Sequence, residues 1–172
     1  NIYLGSKIEL NESIIKGASA KFNHFSDNYG SSENRFYTKP SFELNISDKL
    51  VKTNVIVDYL AGSFEKNYSN TNSIKYGFVN FGIAPSFVMQ EDDWTVNIGA
   101  GLFYSLGTEN NSNKFFVYPQ INASLKVVGD LMIFYAGAEG NLEQNTYSDF
   151  VNQNHFLSPT LDIKPTDKQF DV

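Results

Sequence analysis

The chain has 172 residues, of which 41% are hydrophobic and 15% aromatic, and it carries a formal net charge of −6. Because it contains no cysteine, disulfide frameworks, zinc–thiolate clusters and thiol nucleophiles are excluded. Its 13 Lys and Arg residues are scattered, so it has no basic stripe of the kind that binds nucleic acid. No nucleic-acid partner is therefore expected.

The predicted elements are β-strands, because apolar and polar residues alternate with a period of two along most of the chain. Two less regular runs, residues 2–10 and 14–25, come first. The regular runs that follow are Arg35–Ser47, Leu50–Phe64, Lys75–Gln90, Trp94–Leu106, Lys114–Lys126 and Met132–Asn141. We expect about eight full strands, with Ser158–Lys164 as another candidate strand and Lys168–Val172 as the beginning of one more.

Each regular run has one apolar and one polar face. Trp94, Val96 and Ile98, for example, alternate with Thr95 and Asn97. An apolar face of five or six alternate residues, at about 3.3 Å per residue, is long enough for a tilted bilayer crossing. No run approaches the roughly 18 apolar residues of a spanning helix, but alternating strands cross a bilayer without one.

The connectors between the predicted strands alternate between short and long. The short connectors are Asn11–Ser13, Ser47–Lys49, Glu91–Asp93, Val128–Asp130 and Pro165–Asp167. The long connectors fall between them, at residues 26–34, 65–73, 107–113 and 143–159. Outer-membrane barrels have short periplasmic turns and long external loops. The sequence therefore predicts an all-β, antiparallel, up-and-down transmembrane β-barrel in the bacterial outer membrane, with its acidic tight turns at the periplasmic end.

The alternative architecture is a soluble, ligand-binding β-barrel, whose apolar face would point inward. Period alone does not separate the two architectures. The membrane barrel is favoured by the long unbroken apolar faces, by the difference between the two sets of connectors, and by the low charge of the polar faces. A soluble exterior normally carries more charge than the 19% of charged residues found here.

Three prolines lie in the middle of predicted strands, where a missing N–H group breaks the ladder. Pro40, Pro85 and Pro119 all fall on the apolar face. We expect a β-bulge or a local kink at each of them.

The charged residues of the polar faces are the first candidates for function, because they would point together into the barrel if the apolar faces meet lipid. They are Lys39, Glu43, Lys52, Asp58, Lys126 and Glu139. A charge on the lipid side would cost about 2–4 kcal/mol at the bilayer midplane. These residues would line a pore or hold a plug, or they would form an internal lattice of salt bridges that only fills the barrel.

The long connector Glu143–Pro159 is the second candidate, because it carries large apolar side chains in a polar setting. Tyr147, Phe150, Phe156 and Leu157 would dock a lipoprotein or another outer-membrane protein at the cell surface. The alternative is that the connector packs over its own barrel.

Catalytic and metal sites find little support in the sequence. His24 and His155 are the only histidines, and no Gly-x-Ser-x-Gly elbow accompanies them. The acidic run Glu91–Asp93 is expected to be a solvated turn, because consecutive side chains of an extended chain point in alternating directions. We predict a protein without enzymatic activity, metal or cofactor; a barrel enzyme that uses the histidines is the weaker alternative.

Four segments near the C-terminal end resemble a known family: Phe116–Ala123, Tyr135–Tyr147, Phe156–Leu161 and Lys164–Asp167. They look like the barrel portion of a Bacteroidota outer-membrane family labelled TonB-dependent receptor-like. The motifs cover residues 115–172, and the strand rhythm extends the resemblance over the rest of the chain.

The resemblance implies that residues 1–172 form a single segment of a larger barrel that is incomplete at the C-terminal end, because family members are longer. It implies solute transport or service as a membrane subunit of an envelope assembly or secretion complex. Outer-membrane lipids, and other outer-membrane proteins or lipoproteins, are the implied partners. We find no plug domain and no TonB box in these residues, so they do not support active TonB-coupled import.

Overall fold

The computed structural model describes residues 1–11, 13–46, 49–65, 72–109, 112–128 and 131–171. Nine strands form one antiparallel sheet in which every strand pairs with its neighbours in sequence. The elements are β1 (Ile2–Glu9), β2 (Ile15–Ser26), β3 (Ser31–Ile46), β4 (Lys49–Phe64), β5 (Ile74–Gln90), β6 (Trp94–Gly107), β7 (Asn113–Val128), β8 (Met132–Glu143), α1 (Tyr147–Gln153) and β9 (Thr166–Asp171). The prediction of an all-β, antiparallel, up-and-down architecture is confirmed.

The sheet is curved and open. β1 and β9 are its edges, and no ladder joins them in the described ranges. Residues from both ends of the sheet nevertheless line one cavity of about 680 Å³, including Tyr3 of β1, Asn141 of β8 and Lys168 of β9. We call the side of the sheet that faces this cavity the concave face. No helix in the described part of the chain is long and apolar enough to cross a membrane.

The two faces of the sheet differ in chemistry. Alternate residues of a strand point to opposite faces, and the pairing register places the polar residues of neighbouring strands on the same face. Lys52 pairs with Glu43, and Val55 pairs with Ile83. The polar parity lies on the concave face, and the apolar parity lies on the convex face, where many large side chains remain exposed. They include Phe36, Leu44, Ile46, Tyr59, Phe81, Ile83, Phe87, Ile98, Tyr104, Phe115, Val117, Ile121, Leu125 and Phe134.

One predicted long connector is wrong. Residues 27–30 alone join β2 to β3, whereas the sequence indicates a connector at 26–34. Asp27 Oδ1 accepts hydrogen bonds from two backbone N–H groups of this turn, at 2.8 and 2.9 Å. Gly30 closes the turn with a φ of +81°, a conformation that favours glycine. The Asn- and Ser-rich residues after the turn are therefore strand, and β3 begins at Ser31.

The connector from β8 to β9 is much longer than predicted and contains α1. Ser158–Lys164 is not a strand, because this segment folds irregularly against the concave face. The tight connector predicted at Pro165–Asp167 is also wrong, since β9 begins at Thr166. We call residues 144–165 the inner connector.

Other predicted connectors fit the strand boundaries where the structure describes them. Glu91–Asp93 joins β5 to β6 as an exposed turn, as expected. Parts of the connectors predicted at Asn11–Ser13, Ser47–Lys49, 65–73, 107–113 and Val128–Asp130 lie outside the described residues.

The expected β-bulges at the three prolines are wrong, because no register shift falls at any of them; the alternative of a local kink stays a prediction. Pro40 pairs with Ala18 of β2 but not with β4, and Pro85 pairs with Thr53 of β4 but not with β6. The ladder between β7 and β8 ends beside Pro119. Each proline thus pairs with one adjacent strand and, because it has no N–H group, does not pair with the other.

The core lies at the end of the sheet that carries the inner connector. Side chains from β2, β4 and β5 pack there against side chains of the connector. The buried members are Phe25, Leu60, Phe64, Tyr76, Tyr147 and Ile163, with Ile74, Phe150, Val151 and Leu161 at the margin. This core attaches the inner connector to the sheet through apolar contacts rather than through strand pairing.

Replacement of Phe64 by alanine tests this core. Phe64 is fully buried, and its ring centroid lies 5.1 Å from that of Tyr76 and 4.9 Å from that of Tyr147. We expect the free energy of unfolding to fall by about 3–5 kcal/mol, because a cavity replaces the ring. A urea titration followed by Trp94 fluorescence measures the change. Phe156→Ala, at a side chain that is 97% exposed, is the control and should stay within about 0.5 kcal/mol of the parent.

Candidate functional site

The candidate site is the concave face beneath the inner connector. The connector begins with α1, a helix of seven residues that Thr146 caps. Thr146 Oγ1 accepts a hydrogen bond from the Asp149 N–H at 3.0 Å, which satisfies one of the free donors of the first turn. A helix this short is not stable alone, so contacts with the sheet must hold it in place.

Glu33 makes the main polar contact between the sheet and α1. Its side chain points from β3 to the concave face and is only 2% exposed. The carboxylate accepts hydrogen bonds from the backbone N–H groups of Tyr147 (2.7 Å) and Ser148 (3.1 Å) and from the Tyr76 hydroxyl (2.8 Å). The N-terminal end of a helix favours a negative charge, and hydrogen bonds to an ionised group are stronger than neutral ones. Glu33 therefore anchors the start of α1 to the sheet.

Tyr147 adds an apolar anchor at the same point. Its ring is 2% exposed and makes edge contacts with Phe25 and Phe64, at centroid distances of 5.6 and 4.9 Å. Burial, together with the nearby Asp27 carboxylate, raises the pKa of the Tyr147 hydroxyl. The hydroxyl stays protonated at neutral pH and lies 3.4 Å from Asp27 Oδ2, to which it donates.

Amide side chains fix the two ends of the inner connector. Asn80 Nδ2 on β5 donates to Gln144 Oε1 at 2.7 Å. Asn145 Nδ2 donates to the Lys164 carbonyl and to Thr166 Oγ1, both at 2.7 Å, and so joins the start of the connector to its end. The two ends of the inner connector are therefore joined to each other and to the sheet. The connector narrows the space on the concave face at this end of the sheet.

Arg35 forms a second polar link, closer to the middle of the sheet. Its guanidinium donates to both carboxylate oxygens of Asp58, from Nε at 2.9 Å and from one terminal nitrogen at 2.7 Å. The other terminal nitrogen lies 3.9 Å from Asp149 of α1. Asp58 is 5% exposed, so this two-point ion pair is largely removed from water. Both partners line the 680 Å³ cavity.

The predicted polar residues divide between paired and unpaired positions. Glu43 and Lys52 form an ion pair across β3 and β4 at 3.2 Å, and Asp58 pairs with Arg35 as described. Glu139 accepts a hydrogen bond from Asn122. These contacts fit the alternative of an internal lattice. Lys39, in contrast, lines two cavities and has no ion-pair or hydrogen-bond partner among the described residues.

Lys126 lies apart from the other candidates. It lines a shallow depression at the opposite end of the sheet, next to the acidic turn Glu91–Asp93. Its backbone N–H donates to the Asp93 carbonyl at 2.7 Å. It does not join the site beneath the inner connector.

The four residues predicted to dock a partner do not share one surface. Tyr147 and Phe150 face the core, which is the packing that the alternative for this connector describes. Phe156 is 97% exposed and Leu157 is half-buried. The docking prediction stays a prediction, and Phe156 is the residue of the four that is most available for it.

The histidines do not assemble with other catalytic groups in the described residues. His24 Nδ1 lies 2.8 Å from Asn34 Oδ1, and His155 is exposed just after α1. Within the same part of the chain, no group of three or more His, Asp or Glu side chains is arranged to hold a metal ion.

Sequence reasoning missed Glu33 and Arg35, because the residues before Arg35 resemble a loop in composition. Two signals were present. Glu33 and Arg35 continue the polar parity of β3, and Arg35 is the single arginine of the chain. The helix was missed as well, although Thr146 followed by Asp149 is a typical N-terminal capping pattern.

Comparisons with known proteins add no relative. No protein-family model, curated protein or solved structure matches the chain. The resemblance to the TonB-dependent receptor-like family therefore stays an expectation from the sequence, and the functional argument depends on the geometry of this chain.

Replacement of Glu33 by alanine tests the anchor. Without the carboxylate, the N–H groups of Tyr147 and Ser148 lose their acceptor, and each such hydrogen bond contributes about 1.5–3 kcal/mol. We expect hydrogen exchange at these two amides to accelerate about 100-fold. Glu43→Ala, which removes a carboxylate that contacts Lys52 instead of α1, is the control. Unchanged protection of both amides in Glu33→Ala would show that apolar packing alone holds the helix.

Proposed function

We propose that the chain is a segment of an outer-membrane β-barrel of the TonB-dependent receptor-like type, without enzymatic activity, that passes a polar solute through its interior. The observation that carries this proposal is the distribution of side chains on the sheet. Aromatic and aliphatic side chains cover the convex face, while charged side chains lie on the concave face. A bilayer is a solvent in which an apolar convex face needs no protein cover.

The height of the apolar face fits a bilayer. On β5, the convex parity is apolar from Val79 to Met89. Ten steps of about 3.3 Å, tilted by about 40° from the membrane normal, span about 25 Å, which is the height of the apolar band in outer-membrane barrels. A soluble protein rarely exposes an apolar surface of this extent.

The open sheet is consistent with a segment of a larger barrel. Because an up-and-down sheet reverses direction at each strand, β1 and β9 run in the same direction. Bacterial outer-membrane barrels close with an even number of antiparallel strands. Antiparallel closure of this sheet would thus take at least one further strand between β9 and β1.

The polar interior supports the passage of a solute more than a purely structural role. The 680 Å³ cavity is lined by cationic, anionic, amide and phenol side chains, including Lys21, Arg35, Asp58 and Tyr37. The inner connector narrows this interior and is attached by Glu33 and by the apolar core. Passage would therefore be selective for small solutes.

The second candidate function is that of a membrane subunit in an envelope assembly or secretion complex. The specific observation in its favour is Phe156, an aromatic side chain that is 97% exposed after α1. A lipoprotein or another outer-membrane protein would be the partner.

Replacement of Ile83 by lysine separates the membrane barrel from the soluble, ligand-binding alternative. Ile83 lies on the convex face of β5 and is 43% exposed. In a bilayer the added charge would cost about 2–4 kcal/mol, so we expect less protein in the outer membrane and loss of heat-modifiable migration. Asn54→Lys, which adds the same charge on the concave face, is the control and should assemble normally. Normal recovery of Ile83→Lys in a detergent-free soluble fraction would support the soluble barrel.

Replacement of Phe156 by aspartate tests the partner role. If a partner covers this side chain, the buried charge would disrupt the contact, and the partner would no longer co-purify with the detergent-extracted protein. His155→Asp adds the same charge at the adjacent exposed position and is the control. Retention of the same partners by Phe156→Asp would exclude Phe156 as a docking residue.

A further inference from the structure

A second cavity on the concave face carries charges that the fold itself does not balance. It has a volume of about 340 Å³ and lies between β3, β4 and β5 on one side and β8 and β9 on the other. Lys39 and Asn80 belong to the first side, and Glu139 and Asp171 belong to the second. Two lysines, Lys39 and Lys168, and three carboxylates, Asp58, Glu139 and Asp171, thus surround one small space.

The two acids of this cavity are direct neighbours. Glu139 of β8 and Asp171 of β9 are register partners, so their side chains leave the sheet on the same side at adjacent points. Like charges directly opposite each other in a ladder are destabilising. Lys168 lines the same cavity; it forms an ion pair with Glu143 and interacts with Asp171 only at longer range. Among the described residues, neither Glu139 nor Asp171 forms a direct ion pair with a cation.

Lys39 provides the opposite charge without a partner. Asp58, which also lines this cavity, is held at both carboxylate oxygens by Arg35. No described carboxylate lies within ion-pairing distance of Lys39. Its ammonium is consequently free to bind an anionic group that enters the cavity.

An unsatisfied buried acceptor is an independent sign of a missing ligand. Asn80 lines the cavity and is 3% exposed. Its Nδ2 donates to Gln144, but its Oδ1 accepts no hydrogen bond. A buried carbonyl oxygen without a donor costs about 1–3 kcal/mol, so such groups usually have a partner. A solute with an N–H donor would satisfy it.

We infer that this cavity is a binding site for a small zwitterionic solute that carries an ammonium and a carboxylate, such as a short peptide. The ammonium would bind to Glu139 and Asp171 and donate to Asn80, and the carboxylate would bind to Lys39. A neutral solute would leave both sets of charges unbalanced, and a solute with one charge would satisfy only one side. This inference rests on the proposed function, because it names the solute class that the interior selects.

Calorimetric titration of the complete, detergent-purified barrel with glycylglycine tests the site. We expect binding that weakens at least tenfold in Lys39→Gln and in Glu139→Gln, because each variant removes a charge-assisted hydrogen bond. The matched controls are Lys52→Gln and Glu43→Gln, which make the same changes on the concave face outside this cavity. N-Acetylglycylglycine lacks the ammonium and glycylglycine amide lacks the carboxylate, so each should bind at least tenfold more weakly than glycylglycine.

The outcomes separate this inference from the proposed function. Absence of glycylglycine binding, equal affinity for the three probes, or equal loss in the control variants overturns the inference. Swelling of liposomes that contain the protein reports on solute passage. Swelling that is equal for glycylglycine and erythritol overturns the zwitterion preference alone. Selective binding without any swelling retains the site and overturns the passage function.

Discussion

The pairing register between neighbouring strands is the constraint on which the other features depend. Across β3, β4 and β5 it places Lys52 opposite Glu43 on one face and Val55 opposite Ile83 on the other. A slip of one residue in any ladder would move charged side chains to the apolar face and apolar side chains to the polar one. The polar cavities and the exposed apolar surface therefore have a single cause, and neither would exist without the other.

The inner connector uses this register at one end of the sheet. Glu33 reaches α1 only because β3 extends to Ser31 in the same parity that directs Arg35 to the concave face. A buried carboxylate needs several donors, and a short helix needs an acceptor for its first N–H groups; each satisfies the other. The aromatic contacts of Tyr147 then exclude water from these hydrogen bonds, which strengthens them. The polar and apolar anchors of the connector thus support each other.

The region near Pro119 shows how a local break in pairing shapes the concave face. The β7–β8 ladder ends at Gln120 and Glu139, whereas the β8–β9 ladder runs along the other edge of β8, from Glu139 to Glu143. Gln120 Nε2 donates to the Gly140 carbonyl at 2.7 Å, and the Tyr118 hydroxyl donates to Asp167 at 2.8 Å. These side chains replace backbone pairing where proline cannot donate. β9 pairs with this part of β8, so Asp171 lies opposite Glu139 at the cavity that both residues line.

The sequence by itself determined the presence of β1 to β8, their antiparallel order and the chemistry of the two faces, because period-two alternation requires only local information. It also predicted a strand at Ser158–Lys164 that the structure does not have. It also identified Glu43, Lys52 and Asp58 as residues of one face. It did not determine the fold of residues 144–165, whose apolar side chains were as compatible with an exposed loop as with a buried one.

Only the tertiary structure decided that the connector packs inward, since that depends on contacts between Tyr147 and residues more than 80 positions earlier in the chain, such as Phe25 and Phe64. The pairing of Arg35 with Asp58, the juxtaposition of Glu139 with Asp171 and the isolation of Lys39 were decided in the same way. Each of these contacts depends on the curvature of the sheet and on which strands face each other across the concave side. The alternation of residues along a single strand contains no information about either.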